Sequence, residues 1–409
     1  MTYIETIEAA LPLFDLFAFV FGACVGSFLN VVIWRLPRRE SLISPPSHCP
    51  QCDRRLRPWE NIPILAWLWL RARCAGCGNR ISVRYPLVEA FAAAVFLLLW
   101  RRIWNHDLPL TALAPAFFLA ATVIAAGVID AEHRIIPDRL TGTALLAALA
   151  FAGLWPESRL GGAEAVFNLF AQNLLGWIPS LPATPWPAFN QRIEVWLETL
   201  FAVVGVALPL LALRQIGRLL WGRVGYAPAA GKNLLQVTPE AILLNGQPIA
   251  DGEGTTARTT GSRTFQVRHL ELATAPGTDA PEPPAAKPET QAQRLKISGQ
   301  AIRIDNHRMS RHQLKRLVAE VVEWTAPREV LGLGDIKLLA VIGGFVGLAA
   351  ALDIVFLSSL LGVTVGGILL AMQKSHRNWT LPYAPYIAFA TLVWLLSGTG
   401  PLALWQVFR

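Results

Sequence analysis

Apolar runs of bilayer-spanning length recur along this chain, and they restrict its architecture more than any other feature. Backbone polar groups inside a bilayer must be paired within their own segment, so runs of about 20 apolar residues fold as helices. Such runs lie at about residues 13–34, 86–103, 110–129, 140–155, 195–220, 335–352, 354–372 and 383–405. Only 16% of the residues are charged, against about 25% in ordinary soluble domains. The expected fold class is an all-α polytopic membrane protein of about eight transmembrane helices. Its lipid bilayer contacts are served by fifteen tryptophans suited to interfacial belts.

Basic residues set the orientation. The loop after the first run carries Arg35, Arg38, Arg39, Arg54, Arg55, Arg57, Arg71, Arg73, Arg80 and Arg84 with few acids. The positive-inside rule makes this loop cytoplasmic and puts the N-terminus outside. The net charge of +8 therefore reports topology, and no nucleic-acid partner is expected. Glu5 and Glu8 stand where a cleavable signal peptide would be basic, so the first run is expected to be retained.

Four regions follow. Residues 1–104 hold the first two spans and a Cys-rich loop at 35–85. Residues 105–224 hold spans three to five and an outside segment at 156–194. A soluble cytoplasmic insert, expected to be a small α/β unit, covers 225–328, with a Pro/Ala/Thr/Glu-rich linker at 275–292. Residues 329–409 hold the last three spans. Within the insert, alternation at 241–244 and 265–268, an Asn245-Gly246 turn and a run at 295–304 predict strands. Ser310 is read as capping a helix with Leu314, Leu317, Val318, Val321 and Val322 on one face. Gly231-Lys232 is not a phosphate loop, because its spacing to Gly225 is wrong and Asn233 replaces the needed Ser or Thr.

Two aspartates stand out. Asp335 sits in Gly332-Leu333-Gly334-Asp335-Ile336-Lys337, and Asp130 closes Gly127-Val128-Ile129-Asp130. A carboxylate entering a membrane segment is costly and marks function by default. Asp335 could be a helix-start residue favoured by the macrodipole; Asp130, at a helix end, has no such account. Eight spans put both at the cytoplasmic face. The functional reading is a dyad sharing one proton: the ionised member takes a proton from water, and the protonated member polarises a scissile carbonyl. Gly332 and Gly334 leave room for an extended substrate. Asp138 reads as a turn or cap residue, Glu132 as solvated, and His133 as a lone loop histidine.

Cys49, Cys52, Cys74 and Cys77 form two CxxC pairs with the spacing of a closed, structural Zn2+ ribbon. Two disulfides in an outward-facing loop are the alternative. Asn30 and Glu89 are polar residues at inner span ends, read as snorkelling, interhelical pairing or substrate contact. Gly22, Gly26 and Ser27, and the Gly362/Gly366 pair, are small-residue faces for close helix approach.

These residues resemble a known family, the bacterial type IV prepilin peptidases of the GxGD aspartyl protease group. The resemblance rests on six ordered blocks: 26–37 (GSFLNVVIWRLP), the CxxC pairs, 84–89 (RYPLVE), Asp130 with 136–138 (IPD), 332–339 with Gly343 and Gly347, and 382–386 (PYAPY). It implies Asp130 and Asp335 as the catalytic pair, with Gly332, Gly334, Lys337 and Asp138 supporting the catalytic loop. It implies prepilin or pseudopilin substrates with a short basic leader, cut after a glycine at the cytoplasmic face of the inner membrane, for a type IV pilus or type II secretion system. It also implies N-methylation of the new terminus with S-adenosylmethionine, a function of the N-terminal cytoplasmic region that Asn30, Glu89 and the zinc loop would support. The insert is longer than the family's usual connection and could serve an unknown partner. The rival from another class is a membrane scaffold or transporter subunit with structural zinc and an ion- or proton-carrying carboxylate pair; its carboxylates would lie near the midplane.

Overall fold

The computed structural model describes residues 3–106, 108–156, 160, 187–221, 223–226, 234–237, 242–244, 247–248, 263–274, 293–298, 301–304, 307–310, 314–327, 331–372 and 381–398. Most of the expected outside segment, the 275–292 linker, and the Asn245-Gly246 and Gly231-Lys232 positions lie outside the described residues. The chain forms two compact units, Met1–Pro209 with Leu333–Arg409, and Leu210–Gly332.

The first unit is helical. Its elements are α1 (Tyr3–Arg35), the short α2 (Leu65–Trp69), α3 (Arg84–Asn105), α4 (Leu113–His133) and α5 (Asp138–Leu154). There follow most of α6 (Pro187–Trp221), then α7 (Leu333–Val346), α8 (Leu348–Ala371) and α9 (Ala384–Ser397). Among the described residues, four segments are long and apolar enough to cross a membrane: Leu11–Arg35, Leu110–His133, Arg192–Leu220 and Leu348–Ala371. Leu13, Phe17, Leu146 and Val363 are 68–74% exposed, a surface that suits hydrocarbon rather than water.

Small residues set the closest helix contacts. A Cβ on Gly26 would lie 2.6 Å from the Glu89 Cα, and one on Gly22 would lie 2.8 Å from the Ala93 Cα. The expected close approach at Gly22 and Gly26 is therefore to α3. Gly127 of α4 faces α9 in the same way, its Cβ position 3.1 Å from Ala388 Cβ. One boundary differs from expectation. The 335–352 and 354–372 runs predict a break near residue 353, whereas the helices part at Gly347, whose φ of 86° lies in the left-handed region. Only glycine takes that angle cheaply, so backbone chemistry places the break inside an uninterrupted apolar run.

The described residues of the second unit between α6 and α7 are antiparallel strands, which corrects the α/β expectation for them. They are β1 (Arg223–Tyr226), β2 (Leu234–Val237), β3 (Ile242–Leu244), β4 (Gln247–Pro248), β5 (Arg263–Thr274), β6 (Gln293–Ser298), β7 (Ala301–Ile304), β8 (His307–Ser310) and β9 (Leu314–Pro327). The sheet order is β4-β3-β2-β9-β5-β6-β7-β8, with β1 also on β9. The helix expected after Ser310 is strand β9. Leu317, Ala319 and Val321 all point into the core at two-residue spacing, joined there by Phe265, Ile297 and Ile302. The sequence fits both periods, and pairing decides: β9 carries β1, β2 and β5. Its ladder bonds would be lost in a helix.

Candidate active site

Asp130 lies in the last turn of α4 and is only 7% exposed. Its Oδ2 accepts a hydrogen bond of 3.0 Å from the N–H of Ala384, the first residue of α9. The C-terminal end of α4 repels an anion, but the N-terminal end of α9 attracts one. The sequence offered no structural account of Asp130 because its partner is more than 250 positions away.

Arg134, at φ 58°, ends α4 by donating its N–H to the Asp130 carbonyl at 2.9 Å. The chain then runs through Ile136 to α5, and this loop touches α7. A Cβ on Gly334 would stand 3.0 Å from Ile136 Cβ. Lys337 donates to Asp138 Oδ1 at 2.7 Å. That ion pair is well exposed, with Asp138 at 80%, so it guides docking more than it stabilises. Asp335 is half-buried in the first turn of α7, and Gly332 is half-buried just before it. The loop that leaves Asp130 is thus the one packed against the turn that carries Asp335.

The Gly334 contact gives a testable expectation. Gly334→Val puts three carbons against Ile136, and overpacking of this kind costs about 1–3 kcal/mol. The variant should melt several degrees lower and lose most of its activity, whereas Gly334→Val combined with Ile136→Ala should recover both. Thermal melts followed by tryptophan fluorescence read the first effect directly.

Glu132 is not simply solvated. Its carboxylate accepts two bonds, of 2.6 and 2.8 Å, from Arg84 in the first turn of α3. His133 Nε2 lies 3.9 Å from the same carboxylate.

The Cys-rich loop folds as two small knuckles. Each is closed by a β-bridge, His48 with Arg55 and Arg73 with Arg80. All four cysteines are free thiols, and their Sγ atoms lie within 4.8 Å of one another, Cys49 to Cys77 being 3.9 Å. Four sulfurs at about 2.3 Å from a tetrahedral zinc would be about 3.8 Å apart, so the cluster fits a metal. The Cys77 and Gly76 N–H groups hold the Cys74 thiol down to about 6. Arg54 ties the knuckles to the next turn: its Nη2 makes two 3.0 Å bonds to Glu60, and its Nε would lie 2.8 Å from a Cβ on Gly76.

Glu60 also accepts the Arg57 N–H at 2.9 Å. That N–H first, and the Arg54 guanidinium second, hold its carboxyl below the usual value. A depressed carboxyl adds stability above the ordinary Glu value of about 4.3, which is lost as pH falls through the folded value. Glu60→Gln should therefore lower the melting temperature at pH 6 but leave little difference from wild type near pH 3. Equal destabilisation at both pH values would exclude the ion pair as the cause.

Between this loop, α1 and α3 lies a cavity of about 610 Å³ lined by Asn30, Trp34, Trp67, Tyr85, Glu89 and Glu132, among others. Asn30 and Glu89, which the sequence could only name, thus share one wall. Glu89, 7% exposed, accepts the Ile64 N–H at 2.7 Å. That bond holds a β-branched residue at φ 63°, a costly backbone angle. Asn30 Nδ2 donates to the Tyr85 carbonyl at 3.1 Å and the Gly26 carbonyl at 3.3 Å. Among the described residues no donor reaches its buried Oδ1.

Comparison with known proteins matches two family models, the bacterial peptidase A24 N-terminal domain over residues 20–103 and the type IV leader peptidase family over residues 316–367. A prepilin leader peptidase/N-methyltransferase of Aeromonas salmonicida (strain A449) is 34% identical over 203 residues, 43% of this chain and 68% of that protein. The chain belongs to the type IV leader peptidase family. Other members of the type IV leader peptidase family that it resembles are the prepilin leader peptidase/N-methyltransferases of Myxococcus xanthus (strain DK1622), 42% identical over 41% of this chain, and of Dichelobacter nodosus, 38% over 39%. The chain spans 50% and 59% of the length of these two relatives. No solved structure matches. Asp335 falls inside the type IV leader peptidase family match, and Asp130 lies between the two matched segments.

Proposed function

We propose that this protein is an inner-membrane aspartyl endopeptidase that removes the basic leader of type IV prepilins or pseudopilins at the cytoplasmic face. The observation that carries this reading is the packing of Ile136 and Asp138 on Gly334 and Lys337, which ties the loop after Asp130 to the turn of Asp335. Eight spans with both chain ends outside complete the topology, and the residues at 225–328 form a soluble cytoplasmic insert open to a further partner.

In this mechanism Asp130 and Asp335 share one proton. The ionised carboxylate accepts a proton from a water, whose oxygen attacks the scissile carbonyl carbon. The protonated carboxyl donates to the carbonyl oxygen as charge develops there. The proton then passes to the departing amine as the C–N bond breaks. Gly332 and Gly334 leave space for the substrate backbone, and Lys337 with Asp138 keeps the two loops in register.

The second activity is N-methylation of the new terminus. The cavity under the knuckles suits S-adenosylmethionine, which supplies an electrophilic methyl group when bound. Its aromatic walls, its buried carboxylate Glu89 and the unpartnered Asn30 Oδ1 are groups that a cationic, amine-bearing nucleoside would satisfy. Cys49, Cys52, Cys74 and Cys77 would hold Zn2+, which would cross-link the cavity roof.

The test uses purified full-length protein in detergent and a prepilin-like substrate with a basic leader and an apolar helix. Mass spectrometry should show the leader removed after a glycine and, with S-adenosylmethionine present, one methyl group added to the new N-terminus. Intact substrate after prolonged incubation with folded, zinc-loaded protein would sink the peptidase reading.

A further inference from the structure

Gly362 and Gly366 of α8 read from sequence as a surface for helix packing. The structure gives them a different occupant, the segment leading into α9. The Leu381 side chain lies on Gly366, its Cδ1 3.3 Å from where a Cβ would be. The Tyr383 ring lies over Gly362, its Cε2 3.7 Å from where a Cβ would be. One turn earlier on that α8 face, at the i−4 spacing that stacks side chains on a helix, comes Ser358.

The Tyr383 hydroxyl ends between two serines. It is 2.8 Å from Ser358 Oγ and 2.9 Å from Ser359 Oγ. Ser358 is fully buried and donates its own proton to the Val355 carbonyl at 3.1 Å. A hydroxyl has one proton to give. The Tyr383 O–H must then donate to Ser358, and Ser359 donates to the Tyr383 oxygen, so all three hydroxyls are satisfied in one direction.

The other end of Tyr383 is backbone. Its carbonyl accepts from the Tyr386 and Ile387 N–H groups at 3.0 and 3.2 Å, which builds the first turn of α9. The N–H of the next residue, Ala384, donates to Asp130. A ring fixed on α8 therefore sets where this donor stands relative to a carboxylate on α4.

We infer that Tyr383 is a positioning residue: its hydroxyl, clamped by Ser358 and Ser359, holds the first amide of α9, that of Ala384, on the Asp130 carboxylate. This rests on the proposed catalytic role of Asp130. The tyrosine touches neither water nor substrate in this scheme; it acts through the orientation of Asp130. Carboxylate placement is a sensitive target, because an error of about 1 Å can cost about 100-fold in rate.

Three variants test it: Tyr383→Phe, the pair Ser358→Ala with Ser359→Ala, and all three changes together. Each is measured for kcat and KM on the prepilin-like substrate and for amide hydrogen exchange across residues 383–387. The expected result is a fall in kcat of about 10-fold for Tyr383→Phe with KM held within about twofold. The serine pair should match it, and the triple variant should be no worse than either, since all three remove one clamp. Exchange at the first turn of α9 should quicken in each. Wild-type kcat in Tyr383→Phe, losses that multiply in the triple variant, or unchanged exchange would each overturn the inference. If the wild type cleaves no leader at all, the proposed activity falls; the clamp is then judged on exchange alone, upheld by faster exchange and refuted by none.

Discussion

Asp130→Asn and Asp335→Asn should each slow leader cleavage by about a thousandfold or more, with the protein still folded and zinc-loaded. Asn keeps the carboxylate's shape but can neither accept a proton from water nor hold the shared one. Positioned proton transfer contributes about 10²–10⁴ in rate, and members of a catalytic unit do not add independently. The double variant should therefore be scarcely slower than either single one. Asp130→Asn carries a further signature. Its amide can still accept from the Ala384 N–H, which bonds Oδ2 at 3.0 Å in the wild type, so the α9 contact should survive and thermal melting should move little. Single-turnover cleavage followed by mass spectrometry reads the rate; a single variant within tenfold of wild type would remove that aspartate from the mechanism and make Glu132 and Asp138 the next residues to test.

The second large effect concerns the knuckles. Cys74→Ser removes a buried thiol, 8% exposed, and should abolish stoichiometric zinc binding. Structural zinc in small domains contributes about 10–16 kcal/mol of apparent binding energy near pH 7, far more than a loop of this size gains from its own apolar contacts. The loop should loosen, exposing Trp67, a half-buried residue of the cavity wall, to quenchers and opening the cavity roof. Methyl transfer should fall by about 100-fold, whereas the Asp130 and Asp335 loops, which the knuckles do not build, should keep their melting transition. Elemental analysis of purified protein checks the metal. A Cys74→Ser protein that retains one zinc per chain would show that the four thiols are not its ligands.

How much of this was written in the sequence depends on the range of the contact. The Cys spacing, the small residues of α1 and the GxGD turn are local, and a reader can place them. Gly26 was read as a point of close approach, and Glu89 is the residue whose backbone comes nearest. The strand β9 was not legible, because Leu317, Val318 and Val321 satisfy both a helical and a two-residue period. Only pairing with β2 and β5 selects the strand. The Gly347 break was hidden by apolar residues on both sides. The environment of Asp130 was the hardest to foresee. Its donor comes from α9, and the clamp that positions it comes from α8; neither has any local signal near residue 130. Glu132 is exposed, in keeping with its reading as solvated, but its ion pair with Arg84 has no local signal because Arg84 belongs to another helix.

The insertion between α6 and α7 leaves and re-enters the sheet through neighbouring strands. Arg223 of β1 is paired with Pro327 of β9, and the register continues through Val224 with Ala326. The two strands act as a stem: whatever hangs beyond them, the chain comes back one strand spacing from where it departed. A graft of any size on such a stem leaves the gap between its two ends unchanged. The helices on either side need not be re-spaced when the graft grows, shrinks or is replaced by a tight turn. A family whose usual connection here is short, as the resemblance implies, could acquire this sheet as a passenger.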